Sequence, residues 1–184
     1  MKLEFSFSGF PPIKDALAGA GYRKLKKSLL TLMMRQKDKL FDKSQDPDGN
    51  SWPKLHPLVE QKKTSKNTRS EANIKAAKLS SHKILVDTAT LKNSLTIPGS
   101  PYSIDKTDGD EVELGTNIIY AAIHNFGGVI VPRNKKALAF PGLHGTVVVK
   151  KVTIPKRPFI GIGVEDEAKI TEKIEAYIAK ASNE

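Results

Sequence analysis

The chain has 184 residues, no cysteine and a formal charge of +10. That length fits one domain whose core needs no covalent staples, and the missing cysteines exclude disulfides, thiolate zinc sites and cysteine nucleophiles together. The longest apolar stretch, around Ile118–Ile123, is far short of a membrane span.

Met1–Phe7 alternates polar and apolar residues and reads as a strand; it lacks the long apolar run of a signal peptide, so a soluble chain made in the cytoplasm, with no membrane partner, is expected. Pro11-Pro12 closes that strand and suits a helix start, because a fixed φ fits the first turn. Gly19 and Gly21 weaken the residues around them, so the secure helix runs from Tyr22 to Phe41. Leu25, Leu29, Leu32, Met33, Leu40 and Phe41 make its apolar stripe, while Lys26, Lys27, Arg35 and Lys39 fill the other face. Asp46-Pro47-Asp48-Gly49-Asn50 then forces a turn that seats Trp52 against the domain. It is a poor calcium loop, with Pro47 in its middle and no glutamate at the twelfth place, so no metal is expected.

The segment 56–83 reads as a flexible basic insertion, in which Ala72–Leu79 has the makings of a short helix. It has no aromatic residue to stack a base and no recognition-helix or zinc-finger pattern. Contact between nucleic acid and Lys62, Lys63, Lys66, Arg69, Lys75 or Lys78 would therefore be with the phosphate backbone, without sequence reading. Thr88–Leu95 reads as a short helix capped by Asp87 or Thr88, leading into a strand at Ser94–Ile97 that Pro98-Gly99 ends. Tyr102–Lys106 and Glu111–Gly115 pair around Asp108-Gly109, a hairpin signal.

Thr116 or Asn117 is placed to cap a helix carrying Tyr120, Ala121 and His124, which Gly127 stops in the manner of a C-terminal glycine. Tyr120 and Phe126 are assigned to the core. Gly128–Val131 and Thr146–Ile154 are rich in β-branched residues and read as strands, with a hairpin-like excursion over about 132–150 between and around them. Glu165–Ala181 is the cleanest helix: Ile170, Ile174, Tyr177, Ile178 and Ala181 lie on one side, and Glu165, Asp166 and Glu167 meet the positive end of its dipole. The fold class is α+β over a single domain, 1–184. It has a small, mainly antiparallel sheet packed by a long N-terminal helix, a central helix and a C-terminal helix, with long polar loops.

No catalytic constellation appears. The histidines, His56, His82, His124 and His144, show no HExxH spacing, there is no Gly-x-Ser-x-Gly elbow, and Gly161-Ile162-Gly163 lacks the rest of a phosphate loop. His124 at a helix end reads as a capped or packed residue, and no cofactor is expected.

Asp46–Leu55, Leu85–Leu95, Val112–Thr116, Tyr120–Gly128 and Pro155–Gly161, in this order, resemble the Mu-like phage virion morphogenesis family, whose members are tail-completion proteins at the head–tail junction. The resemblance runs from about Leu25 to Ile178; Ala89, on the turn before Leu91, stands where family members often carry glycine. It implies a structural protein of the virion tail, assembled in the host cytoplasm as a homo-oligomeric, six-membered ring, and not an enzyme. It also implies partners among tail-tube or tail-terminator and head-connector proteins. Trp52, Tyr120, His124, Phe126, Gly127, Gly128, Arg157, Pro158 and Phe159 become the fold-defining or interface residues. Among them Pro158 fixes an extended approach, Phe159 buries, and Arg157 stays free for a carboxylate of the same or the next subunit. The alternative is a backbone-binding nucleic-acid protein that uses the Lys-rich stretch.

Overall fold

The apolar stripe that begins at Tyr22 forms α1, which spans Gly19–Lys43 and buries Tyr22, Leu25, Leu29, Met33 and Phe41. The computed structural model describes residues 3–7, 19–55, 83–108, 111–141 and 146–181. The expectations for Pro11-Pro12, for residues 56–82 of the basic insertion with its helix at Ala72–Leu79, and for the tip 142–145 lie outside these residues.

The opposite face of α1 is less uniform than its sequence suggests. Lys26 is buried, not solvated: its Nζ donates to the carbonyl of Thr107 at 2.7 Å and sits 4.9 Å from the centre of the Tyr22 ring. A long aliphatic stem lets the lysine cross an apolar surface while its ammonium finds a carbonyl and a ring face.

Strand β1, Leu3–Phe7, pairs antiparallel with β3, Val112–Thr116, which in turn pairs antiparallel with β2, Ser103–Lys106, so the sheet order is β1-β3-β2. The β2–β3 register sets Lys106 opposite Glu113, and their side chains meet at 3.2 Å. β3 is the central strand. Its Val112, Leu114 and Thr116 are buried, and α1 and α2 (Thr90–Thr96) both pack on it.

α2 corrects two expectations. Residues 94–96 continue the helix instead of forming a strand, because Leu91, Ser94 and Leu95 share one helical face and are all buried there. The Ser94 hydroxyl is satisfied within that face, with the Leu91 carbonyl and Thr116 Oγ1 both 2.9 Å away. Neither Asp87 nor Thr88 caps the helix; Thr88 Oγ1 lies 2.8 Å from Thr90 Oγ1 instead. The helix begins after Ala89, whose backbone is left-handed at φ 60° and ψ 4°.

The second half opens with α3, Ala121–Phe126, followed by β4, Gly128–Ile130. Thr116 does not cap α3; its Oγ1 accepts the Ile118 N–H at 3.3 Å. β5, Leu138–Pro141, pairs with β6, Thr146–Val149, from Leu138 opposite Val149 to Pro141 opposite Thr146, and forms a two-stranded ribbon. β7, Val152–Ile154, pairs with β4. The single strand read over Thr146–Ile154 is therefore two, divided at Lys150-Lys151 because its halves find different partners. Every strand pairing among the described residues is antiparallel.

α4, Val164–Ala181, closes the fold against α1 and buries Ile170, with Ile174 and Tyr177 partly covered. Among the described residues, no helix is long and apolar enough to cross a membrane.

Candidate functional site

Three segments far apart in sequence meet where α3 ends. Asn125 is buried, and its Oδ1 accepts the backbone N–H groups of Phe159 at 3.0 Å and Ile160 at 3.1 Å. One residue earlier, the His124 carbonyl accepts the Arg157 N–H at 2.9 Å. α3 thus supplies acceptors to an extended crossing segment, Pro155–Gly161, that has no strand partner for these donors. Buried amides left unpaired would each cost about 1–3 kcal/mol, so Asn125 acts as a clasp.

The same crossing grips the turn after α1. Trp52 Nε1 donates to the Pro158 carbonyl at 2.7 Å, and its ring meets Phe41 edge-on with centroids 5.5 Å apart. Phe159, fully buried, lies 5.7 Å from Phe41 on the centroid measure. Arg157 is not free for a carboxylate. It is buried, and its Nε and Nη2 donate to the carbonyls of Pro53 and Lys54, each at 2.9 Å. The reason lies in a distant segment: the chain leaves Trp52 without secondary structure, and its carbonyls need donors. Burial pulls the guanidinium pKa below its ordinary value.

The paired glycines allow this approach. Gly127 has φ 72° and ψ −178°, a region closed to other residues, and a Cβ there would sit 2.8 Å from Lys156 N. At Gly128, with φ 155°, a Cβ would lie 2.6 Å from Ile123 Cδ1. The backbone of α3 can therefore end directly against the chain leaving β7, from Ile154 to Lys156.

Tyr120 and Phe126 correct the expectation that they belong to the core, since both are exposed, Phe126 by 56%. The buried face of α3 is the one carrying Ala121 and Asn125, four residues apart; positions 120 and 126 are a hundred degrees off either edge of it. Tyr120 stands edge-on to His124 with centroids 6.0 Å apart. His124 is half-buried and its Nδ1 has no partner. Desolvation, then the nearby Arg157 charge, lowers its pKa. Beside it opens a cavity of about 420 Å³ lined by Leu55, Leu85, Leu91, Tyr120, His124, Arg157 and the turn Asp87–Thr90.

Exposed apolar side chains gather on the two ribbons that follow this joint. Val129, Ile130 and Val131 on or just after β4, Phe140 on β5 and Val148 on β6 are all exposed. No aspartate or glutamate occurs between Glu113 and Glu165, while the exposed Arg133, Lys135, Lys136, Lys150, Lys151 and Lys156 do. Apolar strands with basic flanks are a contact surface by composition.

Of the fold-defining or interface residues read from the sequence, Trp52, His124, Gly127, Arg157, Pro158 and Phe159 converge on the joint. Gly128 begins β4, and Tyr120 and Phe126 face outward. Lys62, Lys63, Lys66, Arg69, Lys75 and Lys78 lie outside the described residues. Asn125 and Lys37 were missed as individual residues. Lys37 is 1% exposed, donates to the Gly161 carbonyl and lies 3.9 Å from Asp166 Oδ2. Burial lowers its pKa to about 8, against the pull of Asp166. Its signal was present: Leu25, Leu29, Met33, Lys37 and Phe41 form one i, i+4 row on α1, so a lysine was placed on the core face. Among the described residues, no group of three or more histidines and carboxylates could hold a metal ion.

The model of the phage virion morphogenesis family matches residues 13–179. FluMu G protein 2, a Mu-like prophage protein of Haemophilus influenzae, is 40% identical over 93 residues, which is 50% of this chain and 50% of that one. The match thus spans about half the length of this curated relative. No solved structure matches the chain.

Proposed function

The chain belongs to the phage virion morphogenesis family, and from that premise we propose that it completes a phage or prophage tail, forming an oligomeric ring at the head-proximal end. The family match over residues 13–179 carries this reading. In it the protein is a structural component of the virion, without catalytic activity or cofactor. It joins copies of itself to tail-tube or tail-terminator proteins on one side and head-connector proteins on the other.

The geometry supports a building block. The clasp of Asn125, Arg157 and Trp52 gives a rigid joint, while the β4–β7 and β5–β6 ribbons offer apolar side chains and strand edges to neighbours. A ring around a DNA conduit favours a basic lining, which suits the charge of +10. Deleting the gene from its prophage should leave filled heads and separate tails that fail to join; particles that still join and infect normally refute the assignment.

The excess of lysine over acidic residues between Lys54 and Lys92 favours one further reading, contact with the nucleic-acid backbone. Titrating duplex binding with salt tests it, since phosphate contacts give a steep linear fall of log affinity with log salt.

A further inference from the structure

We propose that the β5–β6 ribbon is an arm that inserts Phe140 into the Leu55–Leu85–Leu91–Tyr120 cavity of a second copy of this chain. The proposal rests on the oligomeric reading above and adds to it the two surfaces in contact.

The ribbon's composition narrows what can cover it. The register places Phe140 with Val147 on one face and Val148 with Ala139 on the other, so both faces are apolar. Phe140 and Val148 are exposed, and exposed Lys135, Lys136, Lys150 and Lys151 flank them with no carboxylate nearby in sequence. A phosphate backbone would satisfy these lysines and leave Phe140 and Val148 in water. An apolar hollow with a carboxylate at its rim satisfies both.

This chain carries such a hollow. Leu55, Leu85, Leu91 and Tyr120 give the cavity its apolar lining; Asp87, exposed, is the carboxylate among its lining residues, and Arg157, which also lines it, is buried with its guanidinium on the Pro53 and Lys54 carbonyls. At about 420 Å³ it has the size of sites that take a small organic group, ample for one phenyl ring. Two non-glycine residues of its wall, Leu85 at φ 61° and Ala89 at φ 60°, hold left-handed backbone, and strain of this kind gathers at ligand clamps. His124, whose Nδ1 has no partner, belongs to the same wall. No ribbon residue lines the cavity, so arm and hollow are different patches of one chain. A contact between different patches is head-to-tail, the kind that closes into a ring.

The absence of cysteine allows a direct test. Full-length Phe140→Cys and Thr88→Cys chains are mixed well above about tenfold the concentration at which the wild type assembles, to offset the lost phenyl ring, then oxidised and resolved without reductant, with Glu175→Cys on α4 as the control partner. Disulfide-linked dimers are expected from the Phe140→Cys and Thr88→Cys mixture, and a ladder of multimers from the double variant. Phe140→Ala should raise the concentration needed for assembly about tenfold or more, the range of an aromatic anchor. Asp87→Lys should raise it several-fold, with recovery in the Lys135→Glu/Lys136→Glu partner.

Cross-linking inside one chain of the double variant overturns the proposal by placing the arm in its own cavity. Dimers no more abundant than with Glu175→Cys, in wild-type-like oligomers, overturn the arm and leave the ring reading intact. A wild type that stays monomeric, both alone and in tail preparations, overturns both.

Discussion

Replacing Gly127 by alanine places a methyl group where the fold has no room and the backbone has no tolerance. With φ 72° and ψ −178°, Gly127 occupies a region that L-residues reach only at about 1–3 kcal/mol. The new Cβ would lie 2.8 Å from Lys156 N, 3.0 Å from the Ile154 carbonyl oxygen and 3.1 Å from Lys156 Cα, all backbone atoms of the neighbouring segment. A side-chain tip could rotate away, but this segment is fixed by the β4–β7 pairing and by the Arg157 N–H on His124. Overpacking of this kind adds about 1–3 kcal/mol, and the stiffer unfolded chain returns about 0.4–1 kcal/mol. The net expectation is a loss of about 1–5 kcal/mol, or a Tm lower by roughly 2–20 °C for a domain of this size. Urea denaturation followed by circular dichroism, with m checked for constancy, measures it. A loss below about 1 kcal/mol at unchanged m would refute the claim that α3 must end on glycine.

Asn125→Leu keeps the approximate volume but strands the N–H groups of Phe159 and Ile160; a loss of about 2–5 kcal/mol is expected in the same assay, with Asn125→Asp, which keeps an acceptor, milder. Ala89→Gly removes the left-handed penalty of about 1–2 kcal/mol and gives back about 0.5–1 kcal/mol in unfolded-state entropy, so Tm should rise slightly; a fall would contradict the backbone conformation assigned to the turn. Lys37, with its folded pKa lowered to about 8 from 10.5, binds fewer protons when folded than when unfolded between those values. Stability contributed at this site should therefore rise with pH across that window and stay flat in Lys37→Met; parallel pH profiles for the two proteins would exclude the shift.

The sequence by itself determined the elements whose information is local. α1 and α4 follow from side chains repeating at helical period, and the β2–β3 hairpin from alternating residues around Asp108-Gly109. Gly127 was legible because a helix turning directly into a strand asks for a backbone that only glycine accepts. The motifs of the resemblance were legible as a set, and the family match bears out the set.

What each motif residue does was decided only by tertiary contacts. Arg157 is buried because carbonyls a hundred residues away, at Pro53 and Lys54, lack other donors, and no local pattern records that need. Residues 94–96 are helical because β3 and α1 offer an apolar face to Leu91 and Leu95, which outweighs a weak local preference. Tyr120 and Phe126 turn outward because α3 is only six residues long and its buried face is claimed by Ala121 and Asn125. Periodicity reports which residues share a face; which face meets the core depends on chain brought from elsewhere.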